Sequence, residues 1–171
     1  MVYFVWRRLI KVLGCLFILQ GCVSDNEGVL NKQEKEAEKG VNEQLIQAVE
    51  RKETAMINRF IEEGADPTIT NRYGGTALIP ASEHGYVNVV KKLLTNTDTD
   101  VNHVNDLGWT ALLEAIILND GDEKQQQTVQ LLIDYGADVN IPDKNNVTPL
   151  QHAREKGFKE IEQILLKAGA K

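Results

Sequence analysis

The stretch Thr-Ala-Leu-Leu-Glu-Ala at residues 110–115 occurs in related form at other places in this chain. Residues 76–81 read Thr-Ala-Leu-Ile-Pro-Ala and residues 148–153 read Thr-Pro-Leu-Gln-His-Ala, so the three copies begin 34 and 38 residues apart. A fainter copy at residues 45–48, Leu-Ile-Gln-Ala, keeps the leucine and the alanine. A unit that recurs at this interval is typical of repeat proteins, whose helical units stack to bury one continuous core.

A second signature recurs between these copies. Residues 64–67 read Gly-Ala-Asp-Pro, residues 98–102 read Asp-Thr-Asp-Val-Asn, and residues 136–140 read Gly-Ala-Asp-Val-Asn. Together the two signatures resemble the ankyrin family from about residue 41 to the end. The resemblance implies an all-α fold: an ankyrin repeat solenoid of about four helix-turn-helix units with β-turn fingers. The units are predicted at residues 41–68, 69–102, 103–140 and 141–171.

Local signals place the helices within each unit. Thr76 and Thr110 stand where a hydroxyl can cap the first helix of units two and three. Gly85 supplies the positive φ needed to leave a helix, and Asn146 takes the place of glycine in the last finger. An insertion of about five residues within 119–127 accounts for the longer 38-residue step. Apolar spacing predicts the second helices of the four units over residues 54–63, 87–95, 128–135 and 159–167.

Charge and cysteine content exclude several classes of function. The net charge is −6, and the first 21 residues contain the basic Arg7, Arg8 and Lys11 with no acidic residue, which leaves −9 on the remainder. A repeat region with this negative charge disfavours binding to nucleic acid or anionic lipid. The two cysteines, Cys15 and Cys22, both precede the repeats. The folded part therefore has no disulfide and no thiol or Cys-x-x-Cys metal chemistry.

The N-terminus has the pattern of an export signal. A basic segment precedes the apolar run at residues 12–19, and Leu-Gln-Gly-Cys follows at residues 19–22. This form resembles the lipobox of bacterial lipoproteins, which implies a signal peptide at residues 1–21 and lipid acylation of Cys22. The alternative is an uncleaved membrane anchor, which would have to bury the three basic residues, and the apolar run is too short to span a bilayer.

Residues 22–40 are predicted to comprise the acylated cysteine and a polar tether. Val23 and Ser24, rather than an immediate aspartate, follow Cys22. In a Gram-negative host this resembles the lipoproteins sorted to the outer membrane. The expected location is therefore the cell envelope, lipid-anchored, on the periplasmic side of the outer membrane.

Catalytic and metal-binding patterns are weak in this sequence. His84, His103 and His152 fall in different repeats, and no paired metal-ligand motif joins them. Residues 98–102 imitate the start of a calcium loop, but His103 replaces the glycine at position six and Trp109 replaces the closing glutamate. We therefore expect no catalytic residue, no metal, no cofactor and no small-molecule substrate, and a protein that is not an enzyme.

Binding of a protein partner is the favoured function. In ankyrin proteins partners usually meet the concave face formed by the fingers and the exposed ends of the first helices. Carried over to this sequence, that face comprises Arg72, Tyr73, Glu83, His84, Asp106, Leu107, Trp109, Ile117, Leu118, Lys144, Asn145 and Val147. Unit three contributes apolar residues there and the outer units contribute charged ones, which is a common interface composition. Alternatively, Trp109 packs on neighbouring fingers and the insertion covers Ile117 and Leu118.

The sequence thus predicts a cell-envelope lipoprotein whose ankyrin repeats bind a protein partner as a scaffold or adaptor. One alternative is a structural spacer of the envelope whose repeats associate only with copies of themselves. A metal-dependent module is a further alternative, since acidic residues cluster in the insertion.

Overall fold

The structure is a computed structural model that describes residues 44–171. The predicted signal peptide, Cys22 and the tether lie outside the described residues. Within them the secondary structure is helical, with turns and no strand. Residues 44–50 form α1, and seven further helices follow: α2 (Thr54–Glu62), α3 (Leu78–Glu83), α4 (Val87–Asn96), α5 (Ala111–Ile117), α6 (Glu123–Asp134), α7 (Pro149–Glu155) and α8 (Lys159–Lys167).

The helices pair in chain order and the pairs stack in two layers. In one layer α3 packs on α5 and α5 on α7, and in the other α2 packs on α4, α4 on α6 and α6 on α8. The core runs through every unit, because the repeated leucine of each first helix is almost fully buried: Leu45, Leu78, Leu112 and Leu150. The predicted all-α ankyrin architecture is confirmed.

The turns between the helices agree with the sequence signals. Gly85 has φ +62° and Asn146 has φ +61°, as expected for residues in the left-handed region. Lys52, which stands in the turn between α1 and α2, also has a positive φ of 58°. That turn is therefore made without the glycine that serves in units two and four.

The prediction that Thr76 caps the first helix of unit two is wrong. Helix α3 begins at Leu78, its N-cap is Ala77, and the buried hydroxyl of Thr76 has no hydrogen-bond partner. The N–H of Ile79 donates to the backbone carbonyl of Thr76 instead. Pro80 explains the difference, because it has no N–H to continue the helical bonding pattern at this point. In unit three the prediction holds, since Thr110 accepts a hydrogen bond from the N–H of Leu113 at 3.2 Å.

The second helix of unit three starts five residues earlier than the sequence predicted. Helix α6 begins at Glu123, because Asp122 caps it by accepting a hydrogen bond from the N–H of Gln125 at 2.9 Å. Most of the insertion is thus an extension of a helix, and only residues 118–122 form the connection. None of the helices in residues 44–171 has the length and apolar character needed to cross a membrane.

Candidate partner-binding surface

The twelve residues predicted to bind a partner are here called the finger surface. Eight of them are exposed: Arg72, Tyr73, His84, Asp106, Leu107, Leu118, Lys144 and Asn145. The remaining four are partly buried: Glu83, Trp109, Ile117 and Val147. None is fully buried, so each has a part of its surface available to a partner.

The three fingers are held in the same way by an amide or carboxylate side chain. Oδ1 of Asn105 accepts hydrogen bonds from the N–H groups of Leu107 and Trp109, both at 3.0 Å. The same pair of bonds, at 2.8–3.0 Å, occurs in the other fingers: Asn71 with Tyr73 and Gly75, and Asp143 with Asn145 and Val147. Side chains that hold the turn reduce the entropy lost when it binds a partner. Sequence reasoning missed these residues, although each stands five positions before the recurring threonine.

Adjacent fingers are also joined to one another. The N–H of Asp106 donates to the carbonyl of Tyr73 at 3.0 Å, and the ammonium group of Lys144 donates to the carbonyl of Asp106. The guanidinium of Arg72 lies 4.7 Å from the centre of the Tyr73 ring. These contacts fix the spacing of the three fingers, so that their tips form one continuous row.

Unit three contributes apolar side chains to the finger surface, both on its finger and at the end of α5. Leu107 is 52% exposed and Leu118 is 49% exposed, while Trp109 and Ile117 are partly buried. Leu118 keeps this exposure with the insertion in place, so the insertion does not cover it. Large apolar side chains this exposed are informative when they cluster, because isolated ones are common on any protein surface.

A cavity of about 430 Å³ lies between the end of α3 and the start of α6. Its lining is mostly polar and includes both signs of charge: His84, Leu118, Asn119, Asp120, Asp122, Lys124 and Gln125. In residues 44–171 no group of three or more His, Cys, Asp or Glu side chains is placed to hold a metal ion. The metal-dependent alternative thus gains no site from this part of the chain.

Two of the three histidines make polar contacts. Nε2 of His103 lies 2.6 Å from the carbonyl oxygen of Gly74, which joins unit three to the finger of unit two. Nε2 of His152 lies 3.0 Å from Oδ2 of Asp143, which joins α7 to its own finger. His84 is exposed at the end of α3. These contacts give His103 and His152 structural roles.

Asparagine side chains at the turns between units make bonds that the sequence did not reveal. Asn102 accepts a hydrogen bond from the N–H of Asp138 at 2.8 Å and donates one to the carbonyl of Gly136 at 3.2 Å. Asn140 accepts one from the N–H of Lys171 at 3.0 Å. The recurring Asp-Val-Asn signature thus provides polar links between successive units.

Glu114 is the titratable group that sequence reasoning overlooked. It lies on α5 and is only 4% exposed. Burial, and after it the nearby charge of Glu83, raise the pKa of this carboxyl to about 7, although the hydrogen bond from Asn105 acts in the opposite direction. A glutamate in the middle of the repeated Thr-Ala-Leu-Leu-Glu-Ala stretch was a visible signal, but its burial depends on the neighbouring unit.

Comparison with known proteins gives the same architecture. A family model described as Ankyrin repeats (3 copies) matches residues 45–143. The ankyrin repeat protein YahD of Escherichia coli (strain K12) is 52% identical over 105 residues, which are 61% of this chain and 52% of YahD. The crystal structure of an ankyrin repeat domain from Acinetobacter baumannii AYE is 52% identical, with a TM-score of 0.72 over 74% of this chain and 64% of that one. The ankyrin repeat protein EF0377 is 32% identical, with a TM-score of 0.59 over 72% and 79%.

The chain therefore belongs to the ankyrin repeat family. Ankyrin repeats are generally non-catalytic modules for protein–protein interaction. The chain spans about half the length of YahD and less than two thirds of the Acinetobacter domain, so the relatives contain further sequence that this comparison does not cover.

Proposed function

We propose that this protein is a non-catalytic scaffold or adaptor that binds a protein partner through the finger surface. The observation that supports this most strongly is the exposed Leu107 and the partly buried Trp109, which lie on a finger that Asn105 already holds by hydrogen bonds. A preorganised surface loses less conformational entropy on binding, and apolar anchors surrounded by polar residues are typical of interfaces.

Trp109→Ala tests this proposal. Aromatic anchors at the centre of an interface contribute about 2 kcal/mol, or roughly thirtyfold in affinity. The variant should therefore recover far less partner in a pull-down from crosslinked cells while its melting temperature changes little, because Leu112 and Ala115 remain buried in α5.

Tyr135→Ala is the matched control, since Tyr135 is an exposed aromatic residue of the same unit outside the finger surface. It should recover as much partner as the wild type. Equal recovery with both variants, or a collapse of the melting temperature in Trp109→Ala, would place Trp109 in the scaffold and reject the proposed surface.

We also propose that the protein acts in the bacterial cell envelope, anchored by a lipid on Cys22 and exposed to the periplasm. The support is the Leu-Gln-Gly-Cys pattern behind a basic segment and an apolar run. Cys22→Ser should block acylation and leave a precursor about 21 residues longer than the mature form. Metabolic labelling with a fatty acid and mass spectrometry measure both effects, and acylated product of normal size from the variant would contradict the anchor.

A further inference from the structure

The carboxyl group of Glu114 lies directly behind the finger of unit three. Its Oε1 accepts a hydrogen bond of 3.0 Å from the side-chain amide of Asn105, whose Oδ1 in turn holds the N–H groups of Leu107 and Trp109. Its other oxygen, Oε2, is buried without a hydrogen-bond partner. Asn105, which holds the finger, is thus bound to a carboxyl group of which only one oxygen has a hydrogen-bond partner.

The same position differs in the other units. In unit four the finger residue Asp143 is paired with His152, nine residues later, so a carboxylate there has a partner of opposite charge once the histidine is protonated. In unit two the equivalent position is Pro80, which offers no polar group to Asn71. Unit three alone of these three combines a titratable group with an uncharged finger residue.

No positive charge compensates Glu114 within residues 44–171, where it makes no ion pair. On α3, which packs against α5, Glu83 has the same charge and acts on this carboxyl. Lys124 on α6 is exposed to solvent, and His152 on α7 is held by Asp143. Asp106, the acidic residue of the finger itself, is exposed. An ionised Glu114 therefore has a neighbour that repels it and none that neutralises it.

We propose that Glu114 positions the finger of unit three through Asn105, and that ionisation of its buried carboxyl loosens this finger and weakens partner binding. This inference rests on the proposed function for its consequence, but the loosening itself is a property of the free protein. The free-energy cost of a buried charge without a partner decreases when water reaches it. On the Asn105 side, the finger is the element that separates Glu114 from solvent.

The pH range follows from the burial of the carboxyl. Its pKa is about 7 in the closed structure against an ordinary value of 4.5, so the closed finger favours the protonated form. As pH rises from about 4.5 to about 7, opening of the finger becomes easier, because opening returns the carboxyl to water and lets it ionise. The finger should be held most firmly in mild acid and least firmly above neutrality.

Hydrogen exchange of the full chain, resolved by residue with NMR, tests the proposal. The reporters are the N–H groups of Leu107 and Trp109, both bound to Asn105. After correction for the intrinsic exchange rate, their protection should fall roughly tenfold between pH 5.5 and 8.5, with a ceiling of about thirtyfold if opening fully restores the ordinary pKa. The N–H groups of Tyr73 and Gly75, bound to Asn71 in a finger without a titratable partner, are the internal control and should show no such change.

Two variants separate positioning by a titratable group from a purely structural role. Glu114→Gln keeps an acceptor for Asn105 but cannot ionise, so protection of Leu107 and Trp109 should become independent of pH. Glu83→Gln removes the neighbouring like charge and should move the midpoint of the change to lower pH. A flat profile in the wild type, or a profile that Glu114→Gln leaves intact, would overturn the proposal. Neither result depends on a partner, so a failure to capture one would count only against the proposed function.

Discussion

The buried carboxyl of Glu114 makes the stability of the whole domain depend on pH, and Glu114→Gln is the change that reveals it. The folded protein binds this proton with a pKa of about 7, whereas the unfolded chain binds it with a pKa close to 4.5. Between these values the unfolded chain releases the proton first, so the free energy of unfolding falls as pH rises. The decline ends above about pH 7, where the carboxyl is ionised in both states.

The difference between the two pKa values corresponds to about 3 kcal/mol in total, most of which is lost between pH 5 and pH 8. That is a large part of the 5–15 kcal/mol typical of a whole domain. Glutamine has nearly the same shape and no charge to bury, so Glu114→Gln should not show this decline. Relative to the wild type, the variant should gain about 2–3 kcal/mol of stability on going from pH 5 to pH 8.

Urea unfolding at several pH values, followed by circular dichroism, measures this difference. Other titrating groups contribute equally to the wild type and the variant, and they cancel in the comparison. Glu155→Gln is the matched control, because Glu155 is an exposed glutamate on the first helix of unit four, and its curve should follow that of the wild type. Parallel pH curves for the wild type and Glu114→Gln would refute the reasoning and show that water already reaches the carboxyl.

Three further changes test the stability of the fold. Deletion of residues 141–171 exposes the apolar side of unit three and should lower the free energy of unfolding by several kcal/mol, at about 25 cal/mol per Å² over a few hundred Å². A truncated protein that melts at the full-length temperature would contradict coupled stacking. Gly85→Ala should lower the melting temperature more than Gly136→Ala. Both glycines have a positive φ, but only at Gly85 would an added Cβ lie 2.9 Å from a neighbouring group, the amide of Gln125. Equal decreases in melting temperature would mean that Gln125 moves aside freely. Asp143→Asn should destabilise the protein above pH 3.8, because hydrogen bonds, first from the N–H of Val147, lower the pKa of this carboxyl. The stability that the carboxylate provides is lost as pH falls, so the urea curves of variant and wild type should converge in acid. A constant gap between the two curves would count against this prediction.

Short-range signals in the sequence were sufficient for the architecture. The recurring Thr-x-Leu stretches and the turn signatures between them predicted the order of helices, and the second helix of unit four was predicted to the residue at Lys159–Lys167. Gly85 and Asn146 marked left-handed turns correctly, because the need for a positive φ is decided by the residue itself. The partner contacts assigned by position within the repeat stay a prediction.

Local rules failed where a neighbouring residue changed the local bonding. Thr76 has the same position as Thr110, yet Pro80 removes the N–H that would continue the helix, so the two threonines behave differently. Asp122 caps α6, so most of the predicted insertion is helical. The repeat spacing alone did not indicate where this helix begins.

The tertiary structure alone decided the properties that arise between units. Glu114 reads in the sequence as one more polar residue on an amphipathic helix, and its raised pKa comes from burial beneath the finger and from Glu83, which is 31 positions earlier in the chain. The links from Asn102 to the end of unit three and from His103 to unit two have the same origin. Stacking brings together residues one repeat apart, and both desolvation and charge repulsion depend on that distance in space. The sequence of this protein therefore determined which units form, and their packing determined which of its side chains respond to protons.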